Sequence, residues 1–567
     1  MNLSLDQKIA GVLVPIFALR GHDDLGIGDT AALREFIDWS ADVGFSLVKI
    51  LPINETGNDN SPYNAISSVA LDPTTIHLTP AALEDLRASD YESLLATRDE
   101  AKVNSTTVDY TFVKPLKRHL LEAAFRNFSR RHPGKKTERA RAFAQFLEAE
   151  KSWLENYTLF RALMERNNGS EQWDLWPEAQ QDAARARAWL DAQSQRTRES
   201  IVRLQRFFAY VQWIAFTQWR EVKAHADRRG VALMGDIPFG VSYYSADVFA
   251  HRELFRTGWS GGTPPDKIFK HDQFVQQWGQ NWGIPLYDWD AARAENFRWW
   301  RQRVRGVREF FHLFRIDHVL GFYRIYGFPW RPDQNASFLP LSIDQARERT
   351  GGSVPGFQPR PDGTAEEKAM NCKEGEEFLR VIIDEAGAGR VIGEDLGEVP
   401  DYVRPNLTAL GIAGYKIPQW EKQHDGRLIS GEQYQRLSLA TYGTHDHDPL
   451  QIAWDRLSKE AGHSGEAAAE RTGLAQYAGL DPQHLPGELT PELHRALLAA
   501  LLGSNSWIAV IMITDLFGRR ERFNLPGVAT SANWSQRIHV PVSELAADPM
   551  VPQIRQLLRE TGRAAAV

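Results

Sequence analysis

The chain is nearly free of cysteine, since Cys372 is the only one among 567 residues. A single thiol cannot form an internal disulfide, which excludes a disulfide-stabilised secreted domain and agrees with a reducing compartment. We therefore expect a cytoplasmic protein in which Cys372 is an incidental thiol and not a nucleophile.

Long apolar runs and an excess of basic charge are also missing. No window reaches the roughly 18 apolar residues of a membrane span, and the apolar stretch 9–19 that follows Lys8 is interrupted by Pro15. A net charge of −7, from 66 Lys and Arg against 73 Asp and Glu, leaves no basic face for a polyanion. We expect neither a membrane nor a nucleic acid as a partner.

The chain does contain short apolar runs that end in loops rich in Gly, Pro and polar residues, with helical patterns between them. This alternation is typical of parallel βα units and predicts an α/β protein, a (β/α)8 TIM barrel with helical insertions between strands. The eight predicted strands are residues 11–16, 46–52, 232–237, 312–316, 390–393, 413–418, 439–444 and 507–513.

The predicted domain organisation is a single catalytic barrel over residues 1–567. Residues 72–195, after the second strand, and 451–504, after the seventh, are rich in Ala, Glu, Arg and Leu and are predicted to be mainly helical insertions. Residues 239–295, after the third strand, are predicted to form an active-site loop subdomain. Residues 331–374 are rich in Gly and Pro and are expected to be loop-like.

Three acidic segments follow predicted strands: RIDH at 315–318, GEDLG at 393–397 and GTHDHD at 443–448. The carboxyl ends of barrel strands meet at one rim, so Asp317, Glu394 and Asp446 are expected to share a site. Neighbouring carboxylates can divide the roles of nucleophile and general acid/base, which glycosidic-bond chemistry requires.

Arg315 lies two residues before Asp317 and therefore on the same side of the strand. Its charge should lower the pKa of Asp317 and suit this residue to the role of nucleophile, although a purely structural Arg–Asp pair is the alternative. Glu394 ends an apolar run in a turn flanked by glycines. There, burial and a neighbouring anion should raise its pKa and suit it to proton donation.

Histidines and aromatic residues accompany these acids. The run HDHD at 445–448 would alternate its side chains between two faces of a strand, so we expect it to hydrogen-bond a polar substrate and not to bind a metal. Tyr63, Trp278 and Trp282 follow the second and third strands. Their rings can stack on sugars, although packing in the core is the alternative for any single one.

Taken together, these segments resemble the 4-alpha-glucanotransferases, also called amylomaltases or disproportionating enzymes, within the wider alpha-amylase-like group. The resemblance covers essentially the whole chain, and its specificity comes from the order and joint spacing of the matching pieces. These pieces are GIGD at 26–29, LP at 51–52, SPY at 61–63, GDIP at 235–238, PPD at 264–266, GQNWG at 279–283, RIDH at 315–318, EDLG at 394–397, GTHD at 443–446 and NLPG at 524–527.

The resemblance implies a retaining double displacement on α-1,4-glucans, with Asp317 as nucleophile, Glu394 as acid/base and Asp446 as transition-state stabiliser. It also implies maltooligosaccharides and α-1,4-glucans derived from starch or glycogen as substrates, with no cofactor and no metal. The residues it implies for glucan binding are Asp236, Arg315, His318 and His445 in the donor subsite, together with Tyr63, Asp266, Gln280, Trp282 and Asp395.

The sequence also departs from the family's common pattern. Lys49 stands where Gln is common, Ile284 where Asn is usual and Pro449 where Thr is frequent, and residues 414–420 differ from the common sixth strand. Acceptor preference is therefore open, and residues 51–56 and 315–324 look closer to the plant cytosolic disproportionating enzymes that use maltose and glycogen-like acceptors. The sequence is also compatible with an α-glucan hydrolase of the alpha-amylase type and with a non-catalytic glucan-binding protein that has kept the barrel.

Overall fold

The computed structural model describes residues 3–96, 98–134, 136–266, 272–526 and 530–565. Gly527, the last residue of the NLPG match, lies outside these ranges. The strands within them are β1 (Ile9–Leu13), β2 (Leu47–Lys49), β3 (Ala232–Ile237), β4 (Phe255–Thr263), β5 (Gln280–Tyr287), β6 (Leu313–Ile316), β7 (Ile325–Phe328), β8 (Gly356–Gln358), β9 (Val391–Gly393), β10 (Gly414–Lys416), β11 (Ser438–Ala440) and β12 (Ile508–Met512).

Eight of these strands form one parallel sheet in the order β10, β11, β12, β1, β2, β3, β6, β9. The two ends of the sheet meet, because the backbone N–H of Gly393 donates to the carbonyl of Ala413 at 2.9 Å and Ile392 forms a parallel bridge with Ala413. Each of the eight predicted runs overlaps one of these strands, so the predicted (β/α)8 barrel is confirmed. Barrel strands are covered on both faces, which explains why they appear in the sequence as continuous apolar runs.

Helices connect the strands and pack around the barrel. α1 (Thr30–Val43) begins where Asp29 accepts hydrogen bonds from the N–H groups of Ala31 and Ala32, and it ends at Gly44, which has a φ of 108°. The other helices are α2 (Ala88–Leu95), α3 (Glu100–Val103), α4 (Tyr110–Arg131), α5 (Glu138–Ala149), α6 (Lys151–Arg166), α7 (Ala183–Asp191), α8 (Gln195–Arg229), α9 (Ala246–Ala250), α10 (Gln273–Trp278), α11 (Trp289–Ala294), α12 (Arg298–Phe310), α13 (Asn335–Phe338), α14 (Ile343–Arg349), α15 (Ala365–Ala386), α16 (Val403–Ala409), α17 (Leu450–Glu460), α18 (Gly465–Tyr477), α19 (Pro491–Gly503), α20 (Ile513–Leu516) and α21 (Met550–Glu560).

The two long intervals between strands are filled by helices. The chain between β2 and β3 contains α2 to α8, and the chain between β11 and β12 contains α17 to α19. The 35-residue α8 buries Phe208, Trp219 and Val222 and ends at Gly230, where φ is 69°. None of the helices in the described part of the chain has both the length and the apolar composition of a bilayer span.

A second, antiparallel sheet in the order β5, β4, β7, β8 was not predicted. Its strands β4 and β5 fall within the predicted loop subdomain 239–295, of which residues 267–271 lie outside the described ranges. Glycines such as Gly261 and two register shifts between β4 and β5 interrupt the alternation by which a strand is recognised. The sheet contacts the barrel through Tyr287, whose hydroxyl donates to the carbonyl of Phe239 at 2.7 Å.

The prediction of a loop over residues 331–374 was partly wrong. The segment contains α13, α14, β8 and the start of α15. Thr364 and Glu367 form a capping box in which each side chain accepts a hydrogen bond from the other residue's backbone, and this fixes the beginning of α15. The Thr-x-x-Glu signal was present in the sequence but was obscured by the glycines and prolines before it.

The carboxyl-terminal rim of the barrel carries the acidic segments. Asp236 and Arg315 are paired in the ladder between β3 and β6, and Asp317 comes directly after β6. Glu394 comes directly after β9, and its N–H donates to the carbonyl of Ile316 at 3.0 Å, so the two chain segments remain paired as they leave the barrel. The third acidic segment follows β11 at the same rim.

Candidate active site

The guanidinium group of Arg315 connects three carboxylates at the rim. Its Nη1 donates to both carboxylate oxygens of Asp236 at 2.8 Å, while its Nη2 lies 2.6 Å from Oδ1 of Asp317 and 3.8 Å from Oε2 of Glu394. Arg315 is only 3% exposed, so these charges interact with little solvent screening. One cation thus interacts with three acids, which lie in β3 or directly after β6 and β9. The group as a whole carries excess negative charge.

Glu394 is placed to hold a proton. Burial raises its pKa to about 8, and the nearby Asp317 adds to this rise, while Arg315 and the N–H of His318 oppose it. This is the direction that the sequence predicted. A carboxyl group with such a pKa is protonated at neutral pH and can donate its proton to a leaving group.

Asp317 differs from the prediction, because its pKa is raised above the ordinary value. Burial is the largest cause; Arg315 does lower the pKa, as expected, but does not offset burial, and the anion of Asp446 raises it further. The sequence reveals the neighbouring Arg but not the depth of the site. Arg315 nevertheless favours the ionised form more at Asp317 than at Glu394, because its Nη2 is 2.6 Å from the first and 3.8 Å from the second.

Asp446 is held as an anion at the edge of the cleft. The amide of Asn524 donates to its Oδ1 at 2.6 Å, and Nε2 of His445 lies 3.2 Å from its Oδ2. Burial raises the pKa of Asp446, but His445 and Asn524 together lower it below its ordinary value. Its side chain is still 38% exposed and so is accessible to a substrate. Asn524 belongs to a motif that supported the resemblance, yet no role for it followed from the sequence alone.

His445 and Tyr63 form one wall of the site. Their rings stack with centroids 4.8 Å apart, and the Tyr63 hydroxyl donates to Oδ2 of Asp236 at 2.9 Å. Burial lowers the pKa of His445 to about 4, so its imidazole is neutral at physiological pH. A neutral ring that contacts Asp446 and Tyr63 can orient them without adding a charge.

His318 and Trp282 form a second aromatic group at the site. Trp282, from the antiparallel sheet, meets the His318 ring edge to face at 4.9 Å, and its indole N–H donates to Oε1 of Gln280 at 3.1 Å. Trp282 remains 39% exposed and presents an aromatic face beside the acids. Burial, assisted by Arg315, lowers the pKa of His318 to about 4, so this imidazole is also neutral at physiological pH.

Asp395, which the resemblance implies for glucan binding, does not contact this group of acids. Its Oδ1 accepts the backbone N–H of Tyr415 at 2.6 Å and its Oδ2 accepts Nε–H of Arg404 at 2.8 Å, which connects the end of β9 to β10 and to α16. Consecutive residues of an extended chain point to opposite faces, so the side chain of Asp395 points away from the site when that of Glu394 points inward.

Asp266 follows β4 and donates its backbone N–H to the carbonyl of Val275 at 3.3 Å, beside residues that lie outside the described ranges.

This chain is similar to known proteins over most of its length. A profile of the family described as 4-alpha-glucanotransferase matches residues 14–543. The 4-alpha-glucanotransferase of Chlamydia pneumoniae is 31% identical over 551 residues, which cover 94% of this chain and 92% of that protein. The rice 4-alpha-glucanotransferase DPE2 is 32% identical over 325 residues, or 56% of this chain and 32% of that protein. The structure of amylomaltase from Streptococcus agalactiae in complex with acarbose has a TM-score of 0.76 at 24% identity and covers 98% of this chain and 100% of that chain.

Proposed function

Because this chain belongs to the 4-alpha-glucanotransferase family, and so is an enzyme that transfers glucosyl units between α-glucans, we propose that it works by a retaining double displacement. In this mechanism Asp317 is the nucleophile and Glu394 is the general acid/base. The observation that carries the proposal is the shared contact of both carboxylates with Nη2 of Arg315.

The spacing of the two carboxylates supports retention. Oδ1 of Asp317 and Oε2 of Glu394 cannot be farther apart than the sum of their distances from Nη2 of Arg315, 2.6 and 3.8 Å. That limit lies at the lower edge of the roughly 6.5–9.5 Å of inverting pairs, which must leave room for a water molecule. A retaining pair, at roughly 5–5.5 Å, fits within it.

The proposed first step forms a bond between Asp317 and the anomeric carbon of the donor while the glycosidic bond breaks. Glu394 gives its proton to the departing glucan oxygen and becomes a carboxylate. In the second step the 4-hydroxyl of an acceptor attacks the same carbon, Glu394 takes the hydroxyl proton, and the bond to Asp317 breaks. Both catalytic groups then return to their starting protonation states.

The remaining side chains support this reaction by position. Asp446, held by Asn524 and His445, is suited to bind ring hydroxyls of the donor and to favour positive charge at the anomeric carbon. Tyr63, Asp236, Arg315, His318 and His445 line the donor side, and Gln280 and Trp282 supply a polar and an aromatic surface for the glucan chain. We propose maltooligosaccharides and glucans derived from starch or glycogen as substrates, with no cofactor, in the cytoplasm.

Maltotriose tests the activity. Transfer yields glucose and longer maltodextrins with few new reducing ends, whereas an α-glucan hydrolase yields reducing ends without elongation. An accumulation of reducing ends alone would overturn the proposal of transfer, and binding without any product would indicate a non-catalytic glucan-binding protein.

The double displacement is tested with Glu394→Gln and α-maltosyl fluoride. Fluoride leaves without a proton, so the first step proceeds, but the second lacks its base and the covalent intermediate accumulates. Mass spectrometry of the intact and digested protein should find one maltosyl group, on the peptide that contains Asp317. An adduct on a different carboxylate would overturn the assignment of the nucleophile.

A further inference from the structure

A lysine–tyrosine pair lies inside the barrel beneath the carboxylates. Nζ of Lys49, at the end of β2, donates to the hydroxyl of Tyr415, in the middle of β10, at 2.7 Å. β2 and β10 are separated in the sheet by β1, β12 and β11, so this contact crosses the interior of the barrel. Lys49 is 2% exposed and Tyr415 is fully buried.

Charged groups of the site act electrostatically on the Lys49 amine. Asp236 in β3, Asp317 after β6 and Glu394 after β9 all favour its charged form, whereas Arg315 in β6 opposes it. The guanidinium carbon of Arg315 also lies 5.8 Å from the centre of the Tyr415 ring, and the charge of Lys49 reaches the His445 imidazole after β11. The charge of Lys49 is therefore coupled to those of both proposed catalytic carboxylates.

The amine is poorly solvated by its surroundings. An ammonium group has three N–H donors, and within the described part of the chain the Tyr415 hydroxyl is the hydrogen-bond acceptor of Nζ. Burial, assisted by Arg315, lowers the pKa of Lys49 to about 7, so its charge changes near neutral pH. The pair can keep its hydrogen bond in both states, because the hydroxyl can accept from the ammonium and donate to the neutral amine.

We propose that Lys49, held by Tyr415, is a positioning residue whose charge helps to keep Asp317 ionised up to neutral pH. The attraction between two charges is mutual, so the same interactions that favour the ammonium also favour the carboxylates. Lys49 is one of the groups that lower the pKa of Asp317. It thus partly offsets the burial that would otherwise protonate the nucleophile. This inference rests on the double displacement proposed above.

The test is the pH profile of kcat/KM for maltotriose in the wild type and in Lys49→Met. The active form needs Asp317 ionised and Glu394 protonated, so the acidic limb reports the first and the alkaline limb the second. Loss of the positive charge should move the acidic limb upward by about one pH unit and the alkaline limb by less, because Lys49 has a pKa of about 7 and has lost most of its charge where Glu394 titrates. A Lys49→Met enzyme that is slower at every pH, with both limbs in place, would overturn the inference and indicate packing alone.

Two further variants keep the test decisive. Lys49→Gln is also neutral and replaces the Met variant if the latter does not fold, with the same expected shifts. Tyr415→Phe removes the acceptor but keeps the amine, so the ammonium loses its partner and should lose its charge at a lower pH than in the wild type. The acidic limb should therefore rise by less than in Lys49→Met, and an acidic limb equal to that of the wild type counts against the role of Tyr415. A wild-type enzyme that does not transfer would instead refute the proposed function, so the two failures are distinguishable.

Discussion

The backbone N–H of His318 donates to Oε2 of Glu394 at 2.8 Å, so the proposed acid is anchored by the residue that directly follows the proposed nucleophile. His318 has a φ of 46°, in the left-handed region that few non-glycine residues adopt. This backbone conformation sets the direction of the N–H. The separation of Asp317 and Glu394 is therefore fixed by the main chain as well as by Arg315.

The backbone contribution of His318 can be separated from that of its ring by two substitutions. Asn tolerates the left-handed region and Val does not, while both remove the imidazole. We expect kcat/KM for maltotriose to be roughly 10-fold lower in His318→Val than in His318→Asn, because the N–H donor moves away from Glu394. The alkaline limb of the Val variant should also rise, since that hydrogen bond lowers the pKa of Glu394. Equal kinetics in the two variants would show that the ring alone matters.

Replacement of the proposed nucleophile should abolish transfer. Asp317→Asn keeps the shape of the side chain but cannot form a stable ester with the donor, so the initial rate of maltotriose disproportionation should fall by roughly 1,000-fold or more. Asp290→Asn is the matched control, because this aspartate is 95% exposed on α11 and should leave the rate unchanged. A near-wild-type rate for Asp317→Asn is the result that contradicts the mechanism.

Asn524 should act through Asp446. Its amide donates to Oδ1 of Asp446 and lowers the pKa of that carboxyl group. In Asn524→Ala the carboxylate loses this anchor, and we expect kcat to fall by roughly 100-fold with a smaller change in KM. In Asn524→Asp a second carboxylate faces the first, so activity at neutral pH should be lower still and should partly recover as the pH falls. A change confined to KM would point to a role in ground-state binding only.

Trp282 is expected to contribute to glucan binding and not to chemistry. It keeps an exposed face beside His318, and its indole N–H donates to the Gln280 side chain. Trp282→Ala should raise KM for maltoheptaose roughly 10-fold and leave kcat within about twofold. Trp282→Phe keeps a ring but loses the hydrogen bond to Gln280, so its KM should lie between that of Trp282→Ala and that of the wild type. Isothermal titration with acarbose provides an independent affinity for each protein, and an unchanged affinity in Trp282→Ala would contradict the binding role.

The barrel was predictable because buried parallel strands leave a strong local signal. Each strand is a short apolar run followed by a polar loop, and the acids at 317, 394 and 446 follow such runs directly. The antiparallel sheet left no comparable signal, because its strands contain glycines and irregular register. Sequence patterns thus located the part of the fold that holds the acids and missed the sheet that supplies Trp282.

Parts of the site that depend on depth or on distant pairing could not be predicted. The raised pKa of Asp317 follows mainly from burial, which no local pattern measures. Lys49 and Tyr415 are 366 residues apart in the chain and lie on strands that are not neighbours, so neither position indicates the other. The contacts of Asp395 could not be predicted either, because extended backbone sends the side chains of Glu394 and Asp395 to opposite sides, and no local sequence pattern indicates the contacts of Asp395 with Tyr415 and Arg404.

Glu394 should make the folded protein less stable as the pH rises, and this gives a prediction that needs no activity assay. Its pKa is about 8 in the folded state and roughly 4.3 in an unfolded chain. Between these values the folded state holds a proton that the unfolded state has released, so stability falls with increasing pH across this window. Gln does not titrate, so Glu394→Gln does not lose this stability as the pH rises, whereas the wild type does. The Tm of Glu394→Gln minus the Tm of the wild type should therefore be larger at pH 8 than at pH 5. Glu178→Gln, at a glutamate that is 87% exposed, is the control and should show no such trend. A difference in Tm for Glu394→Gln that does not change with pH would mean that Glu394 is ionised in the folded protein and cannot serve as the acid.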